Sequence, residues 1–173
     1  MEIEIKLRLN EQNYNKLFTI LGDPIEIQEQ ENHYFRIYDR EGFVLPKKIR
    51  LRFYDSKCVL TYKDNHIIKN GISISGEQEC EIDYKEAKKY IGKKNNAEFI
   101  EQFKESVVVQ YLFSKHQPYS INHIGSFKNI RHVFHWESYH LEIDKTIFDF
   151  GIGYEIEVEL DPQTNSKKVK KLL

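Results

Sequence analysis

No glycine-rich loop of the Walker or dinucleotide type occurs anywhere in the chain, so any phosphate it binds has to be held by side chains. No nucleophile motif is present either: Ser73, Ser75 and Cys58 stand in no recognisable catalytic context. Cysteine is scarce, with only Cys58 and Cys80, both in strand-like stretches and without a CxxC spacing. That pattern points to a reducing compartment with two packed thiols. No apolar run is long enough to cross a bilayer and no signal peptide opens the chain, so a cytoplasmic protein with no membrane partner is expected. Nor does one sign of charge dominate. Lys and Arg number 26 against 27 Asp and Glu, for a net charge of −1. This excludes a nucleic-acid binder that works through a basic surface. His132, His135 and His140 lie close together but fit no zinc spacing and have no cysteine pair, so they read as structural. With no repeat, low-complexity tract or linker, residues 1–173 are expected to form a single domain.

What the chain has instead is strict alternation. Met1-Glu2-Ile3-Glu4-Ile5-Lys6-Leu7-Arg8 places Glu2, Glu4, Lys6 and Arg8 on one face of a strand and apolar residues on the other. The design returns at Ile49-Arg50-Leu51-Arg52-Phe53, Cys80-Glu81-Ile82-Asp83, Leu141-Glu142-Ile143-Asp144 and Tyr154-Glu155-Ile156-Glu157-Val158-Glu159. A sheet charged along one face on strand after strand can close into a barrel with a charged lumen. The expected class is α+β, mostly antiparallel β, with a few flanking helices.

In order, the spacing predicts a strand over the first eight residues and a helix over 11–21, capped by Asn10 and closed by Gly22. An extended segment follows at 25–38, then a turn at Arg40-Glu41-Gly42 and strands near 48–54 and 58–63. Residues 64–76, with Asn70-Gly71 and Gly76, read as the most loop-like stretch. An acidic strand is expected at 77–84, a short helix at 85–91 and a longer one near 97–115. Strands return near 127–136, 139–145 and 153–160. Asp161-Pro162 then starts a last helix that the sequence leaves at Leu173.

The chemistry follows from residue type. Glu2 and Glu4 are two carboxylates on one strand face, roughly 7 Å apart at their Cα atoms. Such hard oxygen donors suit Mg²⁺ or Mn²⁺ rather than zinc. Glu155, Glu157 and Glu159 form an acidic row whose mutual repulsion a cation relieves. Lys6, Arg8, Arg50, Arg52, Lys63 and Arg131 fall on the charged faces, where arginine forks and lysine point charges match phosphate oxygens. Trp136 or Tyr34 could stack on the organic end of a substrate, although both also fit a plain core or surface role.

Glu2-x-Glu4-x-Lys6 resembles the ExExK signature of the CYTH superfamily, the triphosphate tunnel metalloenzymes. The resemblance continues through Arg50-Leu51-Arg52, Lys63, Glu79 and Glu81, and Phe127-Lys128-Asn129-Ile130-Arg131. It closes with Leu141-Glu142-Ile143-Asp144, Asp149-Phe150-Gly151 and Tyr154-Glu155-Ile156-Glu157, covering nearly the whole chain in the family's order. It is most similar to the plant-type enzymes that hydrolyse inorganic tripolyphosphate. The resemblance implies an eight-stranded closed barrel, a small-molecule triphosphate substrate and Mg²⁺ or Mn²⁺. It further implies metal ligands at Glu2, Glu4, Asp144, Glu155 and Glu157, with Glu79 and Glu81 as weaker members. Glu2, Glu4, Lys6, Asp144 and Glu157 would then be catalytic, and Lys6, Arg8, Arg50, Arg52, Lys63 and Arg131 would clamp the phosphates. The same barrel can host thiamine triphosphate hydrolysis, nucleoside triphosphate hydrolysis or adenylyl cyclisation, or serve as a polyphosphate-binding module. Family members continue through a C-terminal helix bearing a lysine in a Ser-Lys motif. Ser166-Lys167 does not occupy that place, so this chain is expected to lack the end of that helix.

Overall fold

The structure, a computed structural model, describes residues 2–69, 72–137 and 139–160, without the side chains of residue 2 and of 64–69. Eight strands run in the order β1 (Glu2–Leu9), β2 (Glu26–Tyr38), β3 (Val44–Tyr54), β4 (Lys57–Lys69), β5 (Ile72–Ile82), β6 (Ser120–Trp136), β7 (Tyr139–Phe148) and β8 (Gly151–Glu159). Helix α1 (Glu11–Leu21) follows β1; α2 (Tyr84–Lys88), α3 (Glu98–Gln102) and α4 (Val107–Lys115) lie between β5 and β6. The strands close into an antiparallel barrel in the order β1-β5-β4-β3-β2-β6-β7-β8. Closure removes exposed sheet edges and gives every strand an inner and an outer face. No helix among the described residues is long and apolar enough to cross a membrane.

Two compact units make up the chain. The first holds β1, α1, β7, β8, the start of β2, residues 128–136 of β6, and the parts of β4 and β5 from 65 to 76. Its apolar cluster joins Ile5, Phe134, Leu141, Ile143, Ile156 and Val158 from the strands to Tyr14 of α1. Each such aliphatic or aromatic side chain contributes about 1.5–3 kcal/mol on burial. Since α1 covers this face, the alternate residues Glu4, Lys6, Asp144 and Glu157 point inward. The Asn10 carboxamide caps α1 by accepting from Asn13 N at 2.7 Å. Pairing of β1 sets Glu4 opposite Ser73 on one side and Glu159 on the other, and Lys6 opposite Glu157.

The second unit comprises residues 30–64 and 77–127. Phe35, Ile37, Ile49, Leu51, Leu60 and Tyr62 pack with Ala87, Phe99, Val108 and Leu112 of its three helices. Arg50 and Arg52 alternate with Ile49, Leu51 and Phe53, so the apolar cluster directs both guanidiniums to the other face. Cys58 is buried and Cys80 half-buried, and both are free thiols. Burial pushes the Cys58 thiol up to about 12, with nearby acidic groups adding to it.

Several elements depart from the sequence reading. Residues 64–76 are mostly strand: β4 and β5 run to Lys69 and from Ile72, with only Asn70-Gly71 between them outside the described residues. Asn-Gly is the strongest two-residue hairpin signal. Within this stretch Ser73 and Ser75 are buried strand positions, paired opposite Glu4 and Glu2 across the ladder. The single helix expected at 97–115 is broken in two. Ser106 caps α4 by accepting from Val109 N and also donates to Phe103 O, local bonds that compete with a continuous helix. Strands β3 and β6 start at Val44 and Ser120, earlier than expected, and α2 stops sooner, at Lys88. The helix expected from Asp161-Pro162 lies outside the described residues.

On the helix-covered side of the second unit, His33 Nδ1 and His123 Nε2 are 3.0 Å apart, and His33 Nε2 lies 3.0 Å from Glu31 Oε1. Burial, then the neighbouring His33, lowers the His123 pKa below the usual 6.5. A base with a lowered folded pKa leaves the unfolded chain holding more protons in acid. Its stabilising contribution is therefore complete above about pH 6.5 and is lost as pH falls through the folded value. The urea midpoint should drop between about pH 7 and pH 5, and drop less in His123→Gln. An identical drop in both proteins would contradict this origin.

Candidate functional site

The first unit carries an acid-rich set. Lys6 Nζ sits 2.6 Å from Glu157 Oε1 and 3.6 Å from Glu4 Oε1. Both carboxylates are buried. Burial opposes the Lys6 charge, but Glu157 and Glu4 outweigh it and raise its pKa above that of ordinary lysine. Arg131, also buried, forms a bidentate pair with Asp144, Nε to Oδ1 at 2.9 Å and Nη2 to Oδ2 at 2.7 Å. Its Nη2 also donates to Glu157 Oε2 at 3.1 Å, and its Nη1 pairs with Glu142. These carboxylates overcome the burial penalty and hold Arg131 charged. Arg8, whose side chain is 92% exposed, lies 3.7 Å from Glu155. Burial raises the Glu155 pKa; Lys6 works against that and Glu157 adds to it. Glu4, Glu142, Asp144, Glu155 and Glu157 gather around Lys6, Arg8 and Arg131, so carboxylates outnumber bases in this set.

The second unit carries the converse. Glu77 lies 3.0 Å from Lys63 Nζ and 3.6 Å from Arg50 Nη2. Arg50 Nη2 also donates to Thr61 Oγ1 at 3.2 Å, while its buried Nε has no hydrogen-bond partner among the described residues. Arg52 Nε donates to Asn32 Oδ1 at 3.1 Å. Arg50 and Lys63 share the half-buried Glu77, and Arg52 lies two residues along β3 on the same face, so bases outnumber carboxylates in this set.

The sequence-predicted residues are therefore sorted into two sets. Glu4, Lys6, Arg131, Asp144 and Glu157 share one ion-pair network, with Arg8 and Glu155 beside it. Arg50 and Lys63 share Glu77, and Arg52 lies next to Arg50 in strand alternation. Glu79 and Glu81 are exposed. The backbone of Glu2 pairs opposite Ser75, and its side chain lies outside the described residues. The reading missed Glu77 and Glu142, each two residues from a predicted acid and on the same strand face. It also missed the neutral partners Asn32 and Thr61, to which nothing in the local pattern points.

Among the described residues no group of three His, Cys, Asp or Glu side chains stands assembled to hold a metal ion. The donor chemistry nonetheless fits a hard divalent cation. Every candidate in the acid-rich set is a carboxylate, and Glu4 and Glu157 both converge on the position of one ammonium nitrogen.

Comparison with known proteins adds the following. The CYTH domain model matches residues 1–173. The Hippeastrum protein HpAC1, an adenylyl cyclase candidate with a dominant triphosphatase activity, is 31% identical, with a TM-score of 0.84. The match covers 99% of this chain and 84% of that one. A Bacillus halodurans adenylate cyclase candidate is 20% identical, with a TM-score of 0.64, covering 99% of this chain and 84% of its own. A Pyrococcus horikoshii protein is 24% identical, with a TM-score of 0.60, covering 99% and 85%. These last two similarities establish the fold alone. Among curated proteins none matches.

Proposed function

Because the chain belongs to the CYTH domain family, we propose that it hydrolyses triphosphates, and specifically inorganic tripolyphosphate to pyrophosphate and phosphate. The observation that carries this reading is the segregation of charge. One unit holds more buried carboxylate than cation, and the other more guanidinium and ammonium than carboxylate. A polyanion with a divalent cation suits both kinds of group, the cation taking carboxylate oxygens and the phosphates taking guanidinium and ammonium donors. The triphosphatase activity of the Hippeastrum relative supports the same class.

In this reading Glu4 and Glu157 hold Mg²⁺ or Mn²⁺, with Glu2, Asp144 and Glu155 as further oxygen ligands. When bound, the cation neutralises phosphate charge and polarises a phosphoryl oxygen. Lys6 and Arg131, held charged by their carboxylates, steady the acid-rich set and offer donors to phosphate oxygens. Arg8, Arg50, Arg52 and Lys63 supply the remaining clamp, and the unpartnered Arg50 Nε is a donor suited to an anionic oxygen. Water adds in line to the terminal phosphorus, the bridging P–O bond breaks and pyrophosphate leaves. A carboxylate of the acid-rich set takes the water proton. Glu79 and Glu81, both exposed, are the weaker members of the ligand set.

Thiamine triphosphate and nucleoside triphosphates are the alternative substrates, and adenylyl cyclisation the alternative reaction. Both aromatics that could receive an organic end are engaged elsewhere. Tyr34 stacks on Phe127 with centroids 5.7 Å apart, and Trp136 packs against the apolar cluster that includes α1. Phosphate release from tripolyphosphate, ATP and thiamine triphosphate, each with Mg²⁺, Mn²⁺ or EDTA, tests the reading. Metal-dependent release should be greatest for tripolyphosphate; greater release from an organic triphosphate, or cyclic product from ATP, overturns the substrate assignment. Arg52→Ala should weaken tripolyphosphate binding by about 1.5–3 kcal/mol, the worth of a charge-assisted hydrogen bond. Equal affinity by calorimetry would remove Arg52 from the clamp.

A further inference from the structure

His135 of β6 and His140 of β7 stand directly opposite each other next to the turn that joins the two strands. Opposed residues on antiparallel strands keep their Cβ atoms about 4.5–5.5 Å apart, so their side chains move as a pair. The two imidazoles meet with centroids 4.5 Å apart and planes at 84°. Both are exposed. Among the described residues neither ring has a hydrogen bond or an ion pair, and each has only the other as a ring contact. His132 behaves differently. It is half-buried and packs edge-on against Phe18 at 4.9 Å and Tyr14 at 6.4 Å, which makes it structural.

Strand alternation puts the pair on the face of Arg131, Glu142 and Asp144, away from the apolar cluster of Phe134, Trp136, Tyr139 and Leu141. Glu159 follows Val158, the β8 partner of Leu141, and is exposed on the same strand face as Glu157.

We infer that His135 and His140 form a bis-histidine site for a late first-row divalent cation such as Zn²⁺ or Cu²⁺, with Glu159 or water completing the shell. Zinc takes imidazole nitrogen at about 2.0–2.1 Å, and two exposed rings on rigid neighbouring strands reach that distance by side-chain rotation alone. Imidazole selects these metals, whereas the carboxylates of the acid-rich set select Mg²⁺ or Mn²⁺. One chain thereby carries two metal sites of different chemical preference. Exposure leaves this one open to exchange with solvent.

The test is calorimetric titration of the EDTA-treated and dialysed full chain with Zn²⁺, in excess Mg²⁺ to occupy hard oxygen sites. One Zn²⁺ should bind, the binding should be lost in both H135Q and H140Q, and H116Q should retain it. Cu²⁺ in the same protein should give a spin-resonance spectrum with nitrogen coupling that both variants lose. No Zn²⁺ uptake, uptake unchanged in either variant, or a Cu²⁺ spectrum without nitrogen coupling overturns the assignment. None of these readouts depends on triphosphate hydrolysis. Melting curves of the two variants should match the parent chain, since exposed side chains carry little of the fold's stability.

Discussion

Replacing Arg131 with alanine should destabilise the fold by about 3–5 kcal/mol, the cost of breaking a buried ion pair by removing one partner. The guanidinium is buried and meets Glu142, Asp144 and Glu157 together. Without it, buried Asp144 loses its bidentate partner and Glu157 keeps Lys6 as its cation, so the cost falls chiefly on Asp144. For a chain of this length the loss corresponds to a fall in Tm of roughly 6–20 °C. Arg8→Ala supplies the contrast, because its side chain is almost wholly exposed and its 3.7 Å pair with Glu155 is screened by water. Its Tm should stay at that of the parent chain. Thermal unfolding of the two variants side by side checks the account. Equal Tm values would show that the Arg131 network does not hold the strands together.

Glu4→Gln should lower metal-dependent hydrolysis by about a hundredfold or more while the protein stays folded. Even outer-shell partners of a metal site are worth 10–100-fold, and Glu4 is proposed as a direct ligand. The side chain is buried, and the substitution keeps its shape while removing one of two carboxylates on Lys6. Lys6 keeps Glu157 at 2.6 Å, so the ion pair that most steadies it survives. Steady-state rates with Mg²⁺ and a melting curve separate the two effects. Full activity would take Glu4 out of the metal site; an unfolded variant would give it a structural role instead.

The inward row Glu4-Lys6 and the arginines of β3 were legible because strand alternation is local and the chain repeats it. The opposing outward row, Ile5 and Leu51 among it, was legible for the same reason. Pairing across strands was not. Register brings Lys6 against Glu157 and Arg131 against Asp144, and residues so far apart in sequence carry no local mark of that meeting. Lys6, read as catalytic and as a phosphate clamp, and Arg131, read as a clamp, are internal counter-ions in the structure. The stretch 64–76 was misread for a related reason: Asn70-Gly71 and Gly76 suggested a loop, whereas the strand positions of Ser73 and Ser75 come from pairing with β1. Glu77 lay in plain view on the acidic strand. The sequence reading favoured Glu79 and Glu81 because nothing in the spacing reveals which member of an acidic row lies near Arg50 and Lys63. The histidines were judged by zinc spacing along the chain, a test that cannot detect a pair formed across a hairpin.

The most direct test of the central claim is phosphorus NMR of tripolyphosphate incubated with the protein and Mg²⁺, beside an identical sample in EDTA. Hydrolysis at the terminal phosphorus predicts pyrophosphate and phosphate appearing in equal amounts, only where metal is present, with E4Q close to the EDTA sample. Tripolyphosphate that persists unchanged in the Mg²⁺ sample would contradict the account, as would products that accumulate equally in EDTA.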